Sequence, residues 1–479
     1  LTCHVHINTS ILDATTMKDM KDSLLRPRAI VSGSLIRAFK ICQWTLITLL
    51  CVGVLHARKP NVILIYTDDQ GSIDLNCYGA KDLYTPHLDQ LARKGIKFSQ
   101  FYSAAPVCSP SRAAVLTGRF PQHAGVPGNV SSEKGHSGMP SSQTTIAEMM
   151  KAAGYATGHI GKWHLGYTPD TMPNGQGFDS SFGHMGGCID NWSHFFYWQG
   201  PNRHDLWRDG SEIWEDGQFF PDLMVKETET FISQHKDEPF FLYWAINVPH
   251  YPLQGTDGWR KFYDHLPAPR KMYAAFVSTM DQKIGEVLSI LNQQGLAEDT
   301  IVIFQSDHGH STEVRTFGGG GDAGPYRGAK FSLFEGGIRV PAIISWPGHL
   351  QENATRDQLV TSIDWFPTVA DLCGIQLPVT PVDGVSLRPV LESAEAEGSH
   401  ETFHWQTGNA KNPQWAVRQG PWKLLGNPND TSNKAPIGGE LFLSNLEKDV
   451  SEMTNYAAQY PEVVWKLRKL HDTWAARWK

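Results

Sequence analysis

Five short apolar runs, at residues 61–67, 155–160, 240–248, 300–306 and 340–346, are rich in β-branched and aromatic side chains, and amphipathic stretches separate most of them. Strands that alternate with helices long enough to cross over build a parallel sheet covered on both faces, because both faces of such strands are apolar and must leave water. The amphipathic stretches at 86–94, 145–153, 223–234, 271–293 and 363–372 supply the cover. The pattern predicts an α/β fold: a large mixed, mostly parallel sheet flanked by helices.

The residues just beyond four of the runs narrow the chemistry. Asp68 and Asp69 come after the first, Lys162 and His164 after the second, His250 after the third, and Asp307 and His308 after the fourth. Ligands of open α/β sheets bind beyond the carboxyl ends of the strands, so these side chains are expected to converge. Asp and His also punctuate ordinary turns. Four coincidences of complementary chemistry favour one site.

Residues 392–398 are small and acidic and read as a linker. Beyond them 415–425 and 440–446 read as strands and 461–478 as a closing amphipathic helix, which predicts a large domain over 58–391 and a small C-terminal α+β domain over 399–479. Residues 1–57 stand outside the pattern. Basic residues from Lys18 to Lys40 precede an apolar run at 44–55, too short for a membrane span of about 20 residues but suited to a secretory signal. Export to the periplasm or the medium is expected, with no stable membrane span once the signal is removed.

The chain of 479 residues has a formal charge of -7; six basic and three acidic residues lie in 1–57, so the remainder carries -10. That sign excludes a general attraction for nucleic acid, and an anionic substrate would need local positive charge. Of seven cysteines, Cys3, Cys42 and Cys51 fall in the signal segment, and the four left are too few for a disulfide scaffold.

The strongest local motif is Cys108, Ser109, Pro110, Ser111, Arg112, followed by Leu116, Thr117, Gly118 and Arg119. Small residues open a helix there, which sets Cys108 at its positive end with Arg112 one turn in. A cysteine so placed is either an activated thiolate or a buried small residue.

This string resembles the signature of the type I, formylglycine-dependent sulfatases of the alkaline phosphatase superfamily, in which the cysteine is oxidised after synthesis. The resemblance extends over most of the chain: Asp68 and Asp69, Gly161 through Gly166, Pro249 and His250, Asp307 with Gly309, and Lys330 with Glu335, Gly336, Gly337, Arg339 and Pro341. It implies a sulfatase fold, a catalytic domain over 58–391 and a sulfuric ester hydrolase activity. It further implies that Cys108 becomes formylglycine, made by a formylglycine-generating enzyme during maturation. One hydroxyl of its hydrate would attack sulfur, and the other would let the aldehyde re-form and expel sulfate. Asp68, Asp69, Asp307 and His308 would hold Ca²⁺ in preference to Mg²⁺, although His308 stands where many relatives carry Asn, and imidazole is a poorer partner for that ion. Arg112 would brace the diol, Lys162 and Lys330 would clamp sulfate, His164 would take a proton at the nucleophile, and His250 would protonate the leaving oxygen.

Residues 183–207 crowd aromatic and polar side chains together, among them Asn191, His194, Trp198, Arg203 and His204. These either fill the core or face a sugar, and with the export signal they favour a sulfated carbohydrate as substrate. Three alternatives stay open: an arylsulfatase, a phosphonate or phosphodiester hydrolase of the same superfamily, and a non-catalytic protein that binds sulfated glycans. A binder would need no proton shuttles.

Overall fold

The expected alternation becomes a ten-stranded sheet in the computed structural model, which describes residues 58–198, 201–408 and 411–478. Five parallel strands form its middle, in the order Thr300–Ser306, Asn61–Thr67, Phe240–Ala245, Ala156–Lys162 and Ser180–His184. The sheet continues on one side through Ala342–Ser345, Ile96–Phe98 and Ala354–Arg356, and on the other through Trp207–Arg208 and Ser211–Glu212. Ala342–Ser345 runs antiparallel to Thr300–Ser306. Only short helical pieces such as Glu335–Ile338 lie between the two, so the chain re-enters the sheet from the end at which it left.

Every residue of Asn61–Thr67 and of Thr300–Ser306 is buried. Their side chains alternate between two cores: Val62, Leu64 and Tyr66 enter one, Ile63 and Ile65 the other. The helices Cys108–Thr117, Ile146–Ala152 and Trp365–Leu372 cover the first core, and Pro86–Arg93, Phe220–Gln234 and Arg270–Gln293 cover the second. Ile146–Ala152 starts where it does because Thr145 and Glu148 cap it reciprocally. The Thr145 hydroxyl accepts from the Glu148 amide at 3.1 Å, and the Glu148 carboxylate accepts from the Thr145 amide at 2.8 Å.

A turn at Gly420 divides the single strand expected at 415–425 into Gln414–Gln419 and Trp422–Gly426. With Thr402–Thr407 and Leu441–Asn445 these form a four-stranded antiparallel sheet, onto which the helix Pro461–Ala475 packs through Leu467. Loops of this sheet grip residues 327–333. Arg327 donates to Asp430 at 2.8 Å, the Gly328 and Ala329 amides donate to Ser432 and Thr431 at 2.9 and 3.0 Å, and the Leu333 amide donates to Gln414 at 2.8 Å.

Cys77, Cys108, Cys188 and Cys373 are all free. The export signal expected in residues 1–57 lies outside the described residues, and among the described residues no helix is long and apolar enough to cross a membrane.

Candidate active site

Side chains from four strand ends, one helix start and one loop meet in one place. Asp68 and Asp69 follow Asn61–Thr67, Asp307 and His308 follow Thr300–Ser306, and Lys162 closes Ala156–Lys162 with His164 just beyond. His250 follows Phe240–Ala245, Cys108 opens its helix with Arg112 one turn in, and Lys330 comes from the loop gripped by the C-terminal sheet. All ten are at most 5% exposed. Two glycines let the strands close up behind them. Gly161 pairs with Gly183, and a Cβ on Gly183 would stand 1.8 Å from the Gly161 carbonyl oxygen. Asp69 and His164 hold left-handed backbone, φ 61° and 55°, a conformation that persists in such residues only where the surroundings enforce it.

The polar contacts are dense. Lys162 donates to Asp68 Oδ2 at 2.7 Å, and Lys330 donates to both oxygens of Asp69 at 2.8 and 2.9 Å. Arg112 donates to Asp307 at 3.2 Å and stands 3.5 Å from Asp68. The Nδ1–H of His308 donates to the Gly309 carbonyl at 2.9 Å, which turns Nε2 inward to 3.5 Å from both Asp69 and Asp307 and 3.4 Å from Cys108 Sγ. His250 is oriented in the same way, its Nδ1–H donating to the Tyr251 carbonyl at 2.8 Å and its Nε2 lying 3.6 Å from Asp69.

Burial would raise Asp68, but Lys162, His250 and Arg112 hold it well below the usual carboxylate range. Burial pushes Asp69 up to about 6 and Asp307 up to about 8, with repulsion from Asp68 adding to it. Burial lowers His308, yet Asp307 and Cys108 push it up to about 9. The Cys108 thiol is also penalised by burial, but Lys162 and Lys330 hold it well below its ordinary value. Burial lowers His164, and burial with Lys162 and Lys330 lowers His250.

Two carboxyls that burial and repulsion drive towards protonation, Asp69 and Asp307, beside an ionised Asp68 fit a divalent cation. Asp68, Cys108, Asp307 and His308 each offer a ligand atom within 4.8 Å of the others. The carboxylate oxygens of Asp68 and Asp307 are hard donors that suit Ca²⁺, while His308 adds a softer nitrogen. Asp68, Asp69 and Asp307 balance Arg112, Lys162 and Lys330 charge for charge, so a bound divalent ion would leave the centre positive, the sign that receives an anionic ester.

A cavity of about 300 Å³ reaches Cys108, His164, His250 and Lys330 and is walled by Trp198 and Arg203. Asn191, His194 and His204, expected at the substrate, do not line it. Asn191 is buried, its amide donating to Gln254 and accepting from Asn247, both at 3.0 Å. His194 and His204 are also buried, donating to the Gln218 carbonyl and to Glu212. Arg315 does line the cavity, its guanidinium 3.5 Å from the Trp198 ring centre and 4.5 Å from that of Tyr251. No motif marks Arg315, since stacking between distant rings leaves no spacing in the sequence.

Residues 60–375 match the family model described as Sulfatase, and residues 327–475 match that of N-sulphoglucosamine sulphohydrolase, C-terminal. The chain is 34% identical to arylsulfatase A of Homo sapiens over 468 residues, covering 89% of this chain and 90% of the human protein. It is 36% identical to N-acetylgalactosamine-6-sulfatase of Mus musculus over 376 residues, covering 73% of this chain and 70% of the mouse protein. Among solved structures, Ps i-CgsB in complex with k-i-k-neocarrahexaose superposes with a TM-score of 0.78 at 30% identity, covering 87% of this chain and 93% of that one. Likeness of this extent, in sequence and in fold, means that the chain belongs to the sulfatase family, the sulfuric ester hydrolases of the alkaline phosphatase superfamily.

Proposed function

We propose that the chain removes sulfate from a carbohydrate ester, with residue 108 as the nucleophile after conversion to formylglycine and with Ca²⁺ held by Asp68, Asp69, Asp307 and His308. The observation that carries this reading is the meeting of three fixed cations and three carboxylates in one buried cluster around Cys108, which with Lys330 lines the cavity. Formylglycine, as its hydrate, supplies two hydroxyls on one carbon, one to attack sulfur and one to release it. Ca²⁺ supplies positive charge where negative charge gathers.

The remaining work falls to the chain's own side chains. Lys162 and Lys330 bind the non-bridging sulfate oxygens, and Arg112 braces Asp307 and the start of the helix that carries residue 108. His164, held neutral by burial, accepts a proton from residue 108. His250 has Nδ1–H committed to the Tyr251 carbonyl, so its Nε2 serves the leaving oxygen. Burial, joined by Lys162 and Lys330, keeps His250 neutral, and an ester anion seated against the two lysines offsets their part. The anion thereby loads Nε2 with the proton that the leaving oxygen takes.

Trp198, Arg203 and Arg315 offer a ring face and two cations to a sugar. The names N-acetylgalactosamine-6-sulfatase and neocarrahexaose, carried by a relative and by a solved complex, support a carbohydrate. We assign catalysis to 58–391, support to 399–479 and export, to the periplasm or beyond, to 1–57, with a formylglycine-generating enzyme as maturation partner.

The test is a panel of sulfated mono- and oligosaccharides, an aryl sulfate and a phosphodiester, read by release of the inorganic anion. A sulfated sugar is expected to turn over fastest, Cys108→Ala to lower the rate about a thousandfold or more, and mass spectrometry of the Cys108 peptide to find aldehyde in place of thiol. Faster phosphodiester turnover, or full activity with an intact thiol, overturns the reading.

A further inference from the structure

The two strands Phe195–Phe196 and Arg203–His204 pair as a hairpin, and residues 213–218 pack against it. Three metal-ligating side chains meet there, away from residue 108: one ligand atom each of His194, His204 and Asp216 lies within 4.8 Å of the other two. His194 and His204 are 0% and 3% exposed, whereas Asp216 is exposed and open to solvent.

Hydrogen bonds at the far side of each ring decide which nitrogen is bare. His194 Nε2 faces the Gln218 carbonyl at 3.0 Å, and a carbonyl can only accept, so that nitrogen carries the proton. His204 Nδ1 faces the Glu212 carboxylate at 3.1 Å and donates to it. Each ring is left with one nitrogen, His194 Nδ1 and His204 Nε2, that is buried and has no partner among the described residues. Trp214 stacks on His204 at 3.8 Å and fixes that ring.

An unpartnered buried nitrogen is costly, and two in neighbouring rings call for something that both can face. Imidazoles oriented by a carbonyl or a carboxylate at one nitrogen are the usual way to aim the other at a metal. We propose that His194, His204 and Asp216 hold a divalent transition-metal ion of the Zn²⁺ class, with solvent completing the set, as a clasp on the hairpin that walls the active-site cavity. Two imidazoles and one carboxylate suit Zn²⁺ and not Ca²⁺, which sets this site apart from the carboxylate cluster around Cys108. Arg203, which lines the cavity, immediately precedes His204, so a clasp on His204 holds the Arg203 guanidinium in place.

The experiment strips the protein with chelator, reloads it with Ca²⁺ and titrates it with Co²⁺, reading visible d–d absorption with Zn²⁺ as competitor. A single equivalent is expected to bind in excess Ca²⁺ and to be displaced by Zn²⁺. Asp216→Asn should weaken it about tenfold or more, and His204→Gln should abolish the band. Failure of the Ca²⁺-loaded protein to take up Co²⁺, or equal affinity in the wild type and Asp216→Asn, overturns the proposal. Should His204→Gln fail to fold, Asp216→Asn decides alone, because its side chain is exposed.

Discussion

Asp281, far from the reacting groups, shows how one buried carboxyl ties stability to pH. Its oxygens accept from the amides of His87 and Leu88 at 3.1 and 2.8 Å, at the start of Pro86–Arg93, which favours the ionised form. Burial outweighs those bonds and pushes the group from 3.8 up to about 7. Between those values the folded chain keeps a proton that the unfolded chain has released, so the stability Asp281 adds is complete below about pH 4 and is lost as pH rises through 7. Urea midpoints at several pH values are expected to show wild type losing stability relative to Asp281→Asn, with a limiting slope of about 1.4 kcal/mol per pH unit. Parallel curves would contradict this. At the same scale, the ten motif residues could be read from sequence because each sits at a strand end, a helix start or a marked loop. His194 and His204 could not be placed, since a histidine among aromatics reads the same whether it faces a sugar or a buried neighbour.

Elements carry their own constraints, and the pairing of Gly161 with Gly183 is the tightest. Gly183 has φ 148°, and a methyl group there would overlap the Gly161 carbonyl at 1.8 Å, so Ser180–His184 could not close against Ala156–Lys162. Gly183→Ala is expected to cost about 3 kcal/mol or more, read by denaturant unfolding; a loss below about 1 kcal/mol would mean that the sheet yields easily. Asn61–Thr67 and Thr300–Ser306 match the sequence reading residue for residue, because an unbroken apolar run buried on both faces has no other home. The run at 415–425 misled because strand-like composition continues through a tight hairpin, and the direction of Ala342–Ser345 depends on the connection before it.

Across the whole molecule, buried charge joins the helix Glu335–Ile338, which leads into the large sheet, to the C-terminal sheet. Lys423 lies 2.9 Å from Glu335 and 3.2 Å from Glu452, all three side chains fully buried, and Tyr102 donates to Glu335 at 2.6 Å. Lys423→Met would strip Glu452 of its buried ion-pair partner and leave Glu335 to Arg339, 3.3 Å away. A loss of about 3 to 5 kcal/mol is expected, measured by urea unfolding near neutral pH, and a change under about 1 kcal/mol would show that the pair is dispensable. The same C-terminal sheet grips 327–333 and so sets the position of Lys330. A protease cut or premature stop near 430 would therefore silence turnover while sparing every reacting group in the peptide. Selection for desulfation must reach surfaces that never meet a substrate, and the two halves of the chain can only evolve in step.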